Sequence, residues 1–444
     1  MRSLKIAIRR RFDLDNLGTS IGREALAGAT SFLASMYIIA VNPLILKQAG
    51  MDPAASVAST VLAAAFASLA MGIYANNPLL LAPGMSLNSL FAVSLVKTQG
   101  IPYPVALGCV FWAGVLFLAL ALADRKRALA GAIPACLRHG MAGGIGLFIA
   151  LLGLEAAGFV APGKGAGLVL ARFQPATLTF LAGLALTAVL VVRGIKGAFL
   201  LGVLATALLA WPLGRWWAAP GGQPLVTFGG FWAWPDFSLL FCLDLVGAIK
   251  LPHLAAALVI LFSCLFDSLA TCLGVSEAGN LLDHENAPRS LTRSLRATAA
   301  AVMGAALLGA SPATPYIESA TGVREGGKSG LAAVVAGLLF LPFLFLSPLL
   351  SLAPALATAP ILVLAGVFML KPLAYVHWDR FDESLPLFLA LILMPVTMSI
   401  TQGIVWGCLS YTVLKVCCGK AAVVSATMWL MSIFSLAVIA GFGG

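Results

Sequence analysis

Between Tyr103 and Ala123 the chain reads YPVALGCVFWAGVLFLALALA, without one charged residue. A run of this length matches the roughly 20 residues that an α-helix needs to cross the hydrocarbon of a bilayer. Comparable runs recur at about 26–48, 56–75, 78–98, 103–123, 134–158, 175–193, 196–213, 251–274, 291–309, 312–323, 328–350, 357–371, 385–399 and 401–417. Composition agrees: 61% of residues are hydrophobic and 10% charged, where a soluble domain carries about a quarter charged. The expectation is an all-α polytopic membrane protein of about fourteen transmembrane segments in one helical bundle. The apolar stretch 421–442 reads equally as a further span or a membrane-surface helix, and the Trp-, Gly- and Pro-rich stretch within 214–250 reads as an extracytoplasmic linker.

A net charge of +10 raises nucleic acid or anionic lipid as partners, but its distribution argues otherwise. The basic residues cluster at 2–11, 125–127, 193–196, 289–296, 324–328, 371–380 and 415–420. With the N-terminus in the cytoplasm, roughly 21 of the 27 Lys and Arg fall inside; about 6 (Lys47, Lys97, Lys164, Arg172, Arg215 and Lys250) fall outside. The charge is thus a topology signal. It places the chain in the cell (inner) membrane among lipid, with a cytoplasmic N-terminus leading into an uncleaved first span, and excludes nucleic acid. The eight cysteines lie mostly within apolar runs and show no CxxC spacing. They read as small core residues, not as disulfides or zinc ligands.

Two apolar runs are interrupted. "NNPLLLAPGMSLNS" breaks at Pro78 and at Pro83–Gly84 before Asn88, and "ASPATPYIESATG" breaks at Pro312 and Pro315 before Glu318. Proline removes a helix donor, and unwound backbone at bilayer depth persists only where it is buried in protein or lines a cavity. A helix that resumes after such a break aims its N-terminal amides at that cavity. Residues 63–89 and 299–322 share one layout: an Ala/Gly-rich helix, a proline-containing stretch, then a small-residue helix start. Residues 175–213 and 385–417 also match in helix length and break position. Matched broken segments in an inverted repeat mark the midplane binding site of a transporter. The plain alternatives are two proline kinks and a compositional likeness among Ala/Gly-rich helices.

Only two acids, Asp267 and Glu318, lie well inside apolar segments. Intramembrane ionisable groups face a bundle interior or cavity and are functional candidates; the plain alternative is a pair of acids satisfied by Ser, Thr and backbone donors, locking helices together. Asn88, Asp267 and Glu318 are the candidate side-chain readers of the cavity. Among the aromatics Phe32, Tyr37, Phe266 and Tyr316, the last two adjoin a pocket acid and are the candidates to stack on a planar ligand. "GVREGGKS" at 322–329 fits the phosphate-loop pattern, but no buried parallel strand precedes it and a very apolar span follows. It reads as a glycine-rich cytoplasmic loop. "LLDHEN" (281–286) reads as a solvated turn, and His253 as an interfacial histidine. No nucleophile–base pair or metal ligand set stands at bilayer depth, so an enzyme is not expected.

The motifs "GTSIGREALAGATSFLASMYIIAVNP" (18–43), "ANNPLLLAPGMSLNSLFA" (75–92), "LFDSLATCLGV" (265–275), "PYIESATGVREGGKSGL" (315–331) and "ATAPILVLAGVFM" (357–369) resemble the nucleobase–cation symporter-2 (NCS2) superfamily. The likeness is to its AzgA-like branch of guanine, hypoxanthine and adenine permeases. The resemblance implies a 7+7 inverted repeat with intertwined core and gate domains, in which the third and tenth segments are short strands leading into half-helices. Along this chain it divides as 1–25 cytoplasmic N-terminus, 26–123 and 251–350 core, 134–213 and 357–417 gate, 214–250 linker and 421–444 C-terminal apolar segment. The family's binding acids fall on Asp267 and Glu318 and its first-half asparagine on Asn88. Thr271 shares the face of Asp267 one turn on, and Ser86, Phe266, Tyr316 and Ile317 complete the expected site. Leu269 and Ala270 stand where members commonly carry a hydroxyl residue and a glycine, Pro315 where Thr or Ser is common, and Ser86 where Gly is common.

The expected function is a secondary active transporter importing guanine or hypoxanthine by proton symport through elevator-like alternating access. No cofactor is expected beyond the coupling proton, and a homodimer is kept as a partner. A carboxylate accepts well from the adjacent N1–H and exocyclic amine of an oxopurine. Glu318 is assigned that role and Asp267 that of proton carrier, with exchange between them because coupled acids titrate as a pair. The alternatives are an adenine-preferring permease and an anion carrier of the same architecture. The latter is disfavoured by two carboxylates in the pocket.

Overall fold

The computed structural model describes residues 2–123, 134–162, 168–170, 175–195, 198–216, 230, 232–278, 281, 289–346, 355–397, 400–425 and parts of 428–439. Part of the expected linker, most of LLDHEN, the basic cluster 125–127, part of 421–442 and the Phe266 side chain lie outside the described residues. Among the described residues five helices are long and apolar enough to cross a membrane: Ile21–Ala49, Pro53–Ala75, Tyr103–Ala123, Ala135–Ala156 and Pro252–Leu269. Shorter apolar helices include Ala176–Val192, Leu201–Ala210, Gly330–Leu344 and Ala359–Tyr375.

Local chemistry sets the element ends. Asp52 accepts from the amide of Ala55 at 3.0 Å and Pro53 opens the helix Pro53–Ala70, as capping favours. Beyond that helix the chain winds into a π-turn, Met71–Ala75, and stops at Asn76 in the left-handed region, φ 50°. The helix Leu291–Leu307 ends on a comparable device, Gly309 at φ 73°. Gly309 also has no room for a side chain, because a Cβ would collide with the carbonyl of Leu239. A left-handed residue reverses the chain and satisfies helix-end carbonyls; both exits lead into extended segments.

Those segments are β1, Leu81–Pro83, and a strand at Ala313–Pro315, paired antiparallel in the register Leu81 to Pro315, Ala82 to Thr314 and Pro83 to Ala313. A second antiparallel pair, the hairpin of Val160–Pro162 with Leu168–Leu170, was not anticipated. In chain order these strands are β2 and β3, and Ala313–Pro315 is β4. Short helices follow the first pair: Met85–Ser89, continuing as a π-helix over Leu90–Thr98, and Ser319–Arg324.

Deeply buried irregular backbone needs internal partners, and they are present. Gly84 N donates to Pro312 O at 3.1 Å and Tyr316 N to Leu80 O at 2.9 Å. Ser68 Oγ donates to Leu81 O at 2.7 Å and accepts from Leu81 N at 3.0 Å, while Leu80 N donates to Ser319 Oγ at 2.9 Å.

The helices pack in two groups. One holds Ile21–Ser35, Pro53–Ala70, Tyr103–Ala123, Leu251–Ala278, Leu291–Leu307 and Gly330–Phe340 around the β1–β4 pair. Its packing is reciprocal: Ile21–Ser35 lies on Gly330–Phe340, as Leu251–Ala278 lies on Tyr103–Ala123. The other group holds Ala135–Ala156, Pro175–Val192, Ala198–Trp216, Ala355–Met369, Phe381–Val396 and Ile400–Cys417. The 26–48 run falls within one apolar helical span, Ile21–Ala49, in which a turn at Met36 and Tyr37 separates Ile21–Ser35 from Ile38–Leu46.

Candidate functional site

A cavity opens between the two helix groups. Ser86, Leu87 and Leu90 line it from the segment after β1, and Ser263 and Asp267 from the helix Leu251–Ala278. The helix Ala135–Ala156 contributes Arg138, Met141, Ala142 and Ile145, and Met369 closes the lining. Ser263 and Asp267 are four residues apart, so a helix presents both on one face.

Asp267 is fixed from β4: Thr314 Oγ1 donates to its Oδ2 at 2.6 Å. Gly84, at the turn after β1, allows that contact. A Cβ there would lie 2.7 Å from Thr314 Oγ1 and 3.7 Å from Asp267 Oδ2. Opposite the carboxylate's helix the cavity carries a cation, Arg138, whose buried Nε finds no hydrogen-bond partner among the described residues; neither does the buried Oγ of Ser263. Arg138 and Asp267 line one cavity, yet among the described residues no ion pair joins them. Buried polar groups are ordinarily hydrogen-bonded, so this cavity offers unmet donors and acceptors around an apolar wall.

The other expected site residues are distributed around it. Glu318 stands outside the cavity lining, and the hydroxyl of Tyr37 donates to its Oε1 at 2.7 Å. Asn88 is fully buried and does not line the cavity. Its Oδ1 accepts from Ser311 Oγ at 2.5 Å and its Nδ2 donates to Pro83 O at 3.5 Å, tying the two broken segments together. Tyr316 is buried with its hydroxyl donating to Pro83 O at 2.5 Å, a staple across the strand pair. Thr271 is buried one turn beyond Asp267, and Ile317 is exposed. Phe32 packs edge-on against Phe340 with ring centroids 5.0 Å apart, and His253 sets Nδ1 2.9 Å from the carbonyl of Gly247.

The phosphate-loop look-alike is occupied from within. The amides of Lys328 and Ser329 donate to the carboxylate of Glu24 at 2.9 and 3.2 Å, and Thr19 Oγ1 adds a third bond at 2.9 Å. The residues that the sequence reading passed over are Arg138, Ser263, Ser311 and Thr314. Arg138 carried a weaker signal than the acids, because it stands at the start of the apolar run 134–158 and reads there as a cytoplasmic-side cation.

Residues 22–406 match the Permease family model Xan_ur_permease. The putative permease MJ0326 of Methanocaldococcus jannaschii is 38% identical over 97% of this chain and 97% of its own. The adenine permease AdeP of Escherichia coli is 35% identical over 93% of this chain and 91% of its own. The guanine/hypoxanthine permease PbuO of Bacillus subtilis is 34% identical over 96% of this chain and 100% of its own. In fold the chain resembles the transmembrane domain of the cyanobacterial bicarbonate transporter BicA, with a TM-score of 0.66 at 16% identity, covering 86% of this chain and 97% of that one.

Proposed function

The chain belongs to the Xan_ur_permease family, the nucleobase–cation symporter-2 permeases, and is a multi-pass membrane protein; on that premise we propose that it imports purine nucleobases, guanine and hypoxanthine foremost. The observation that carries this reading is the cavity between the helix groups, where Asp267, Ser86, Ser263 and Arg138 surround an otherwise apolar space. A purine is a flat apolar body with donors and acceptors on its rim, and a site of this make-up suits it.

In this reading transport is secondary and driven by proton symport, with Asp267 and Glu318 as the titrating pair. The group containing the β1–β4 pair is the core (26–123 and 251–350), and the group containing Arg138 is the gate (134–213 and 357–417). The core slides against the gate as an elevator. About fourteen segments in a 7+7 inverted repeat would produce the reciprocal helix packing of the core. The chain sits in the cell membrane with its N-terminus inside, with lipid and a second copy of the chain as neighbours.

An adenine preference is the second reading, favoured by the likeness to AdeP. An anion carrier gains one feature from Arg138, but a carboxylate in the same cavity favours a ligand bearing both donors and acceptors. Uptake of labelled hypoxanthine, competed by each natural base with and without a protonophore, tests all of this. The expected result is protonophore-sensitive uptake, competed best by guanine. Full pH-dependent uptake by Glu318→Gln would remove that acid from the mechanism.

A further inference from the structure

Arg138 is an unusual occupant of this cavity. It lies in the first turn of the helix Ala135–Ala156, in the group opposite Asp267, and lines the cavity. Its Nε is buried, and no described side chain or carbonyl accepts from it. A guanidinium carries five N–H donors in one plane, and one whose Nε has no acceptor among the described residues is a fork suited to a ligand with two adjacent acceptors. Arg138 and Asp267 line the same cavity from different helices, a donor fork on one wall and a carboxylate on the other.

We propose that Arg138 is the specificity-determining residue of this cavity, its guanidinium donating to the O6 and N7 acceptors of a 6-oxopurine held on its opposite edge by the Asp267 side. The inference rests on the reading of the cavity as the nucleobase site. A guanidinium matches the O6/N7 pair of guanine with two parallel bonds, and hypoxanthine presents the same pair. Adenine keeps N7 but replaces O6 with an amine, so the fork meets a donor with a donor. One such bidentate contact is worth about 5- to 150-fold in discrimination. Because Arg138 and Asp267 come from different helix groups, the base would bridge the two bodies.

The test is uptake of labelled hypoxanthine, guanine and adenine in cells lacking their own purine carriers, normalised to the amount of protein in the membrane. It compares the unaltered chain with Arg138→Gln and Arg138→Lys. The unaltered chain is expected to prefer the two oxopurines. Arg138→Gln should shift the hypoxanthine-to-adenine ratio toward adenine by about 5- to 150-fold. Arg138→Lys, which keeps the charge and loses the fork, should shift it in the same direction by less. Ratios within twofold of the unaltered chain overturn the proposal, and if Arg138→Gln does not reach the membrane, Arg138→Lys decides alone. Equal loss of all three bases makes Arg138 structural and also overturns it. An unaltered chain that moves none of the three bases overturns the nucleobase reading itself, a failure visible before any variant is compared.

Discussion

Thr314 Oγ1 donates to Asp267 Oδ2 at 2.6 Å, so a hydroxyl on a three-residue strand holds the carboxylate that lines the cavity. The strand is itself held by β1, which belongs to the other half of the chain. The position of the carboxylate is thus decided by both halves.

Removing that hydroxyl should cost function more than folding. A hydrogen bond to a charged group contributes about 1.5–3 kcal/mol, and each 1.4 kcal/mol is about tenfold. Thr314→Val is expected to lower purine uptake at subsaturating substrate about tenfold or more, and Thr314→Ser to keep most of it. Equal uptake by Thr314→Val and the unaltered chain would show that the bond does not position Asp267 for transport.

Gly84 gives a test of crowding at the same contact. A Cβ 2.7 Å from Thr314 Oγ1 must displace the hydroxyl. Gly84→Ala is therefore expected to lower uptake by an amount similar to Thr314→Val. The same substitution in a Thr314→Ala background, where the oxygen is gone, should cost clearly less. Additive losses would place the damage elsewhere.

The Asn88–Ser311 bond joins the two broken segments in a fully buried setting. Ser311→Ala strands Asn88 Oδ1 at a cost of about 1–3 kcal/mol. The expected readout is a lower thermal midpoint in detergent, with Asn88→Ala/Ser311→Ala losing less than the sum of the single variants. Unchanged midpoints in both singles would mean that the segments are held by their backbone bonds alone.

At the start of the helix Phe381–Val396, Lys415 Nζ and Lys420 Nζ reach Asp382 Oδ2 at 2.8 and 3.1 Å. Their hydrogen bonds, that of Lys415 first, hold the Asp382 carboxyl down from 3.8 to about 2. A carboxyl whose value falls on folding contributes stability that is present above its unfolded value and is lost as the pH falls through the folded one. Melting in detergent should thus weaken between about pH 4 and pH 2, and Asp382→Asn should flatten that part of the profile. A variant profile parallel to that of the unaltered protein would exclude the cluster as its source.

Legibility followed the range of the signal. Pro78, Pro83, Pro312 and Pro315 announce the broken segments because proline acts on its own neighbours. Asp267 was legible as a lone charge in an apolar run. Its partner Thr314 was not, because a short strand bound to a distant one has no local period to read. Asn88 was legible as polar at depth, but residue type does not separate a cavity-facing amide from one satisfied by Ser311. The β2–β3 hairpin was missed because VAP and LVL are too short to show alternation.

The β1–β4 pairing also constrains how the protein is made. The hydroxyl of Tyr316 meets the carbonyl of Pro83 across 233 positions of sequence, so a growing chain exposes the first strand long before its partner exists. Unpaired backbone is costly in lipid, and contacts so distant in sequence form late. During synthesis Leu81–Pro83 must be sheltered by what already surrounds it, and Ser68, bonded to both the amide and the carbonyl of Leu81, is already in place. The first half is thus an unfinished body at birth, and the cavity comes into being only when the second half arrives.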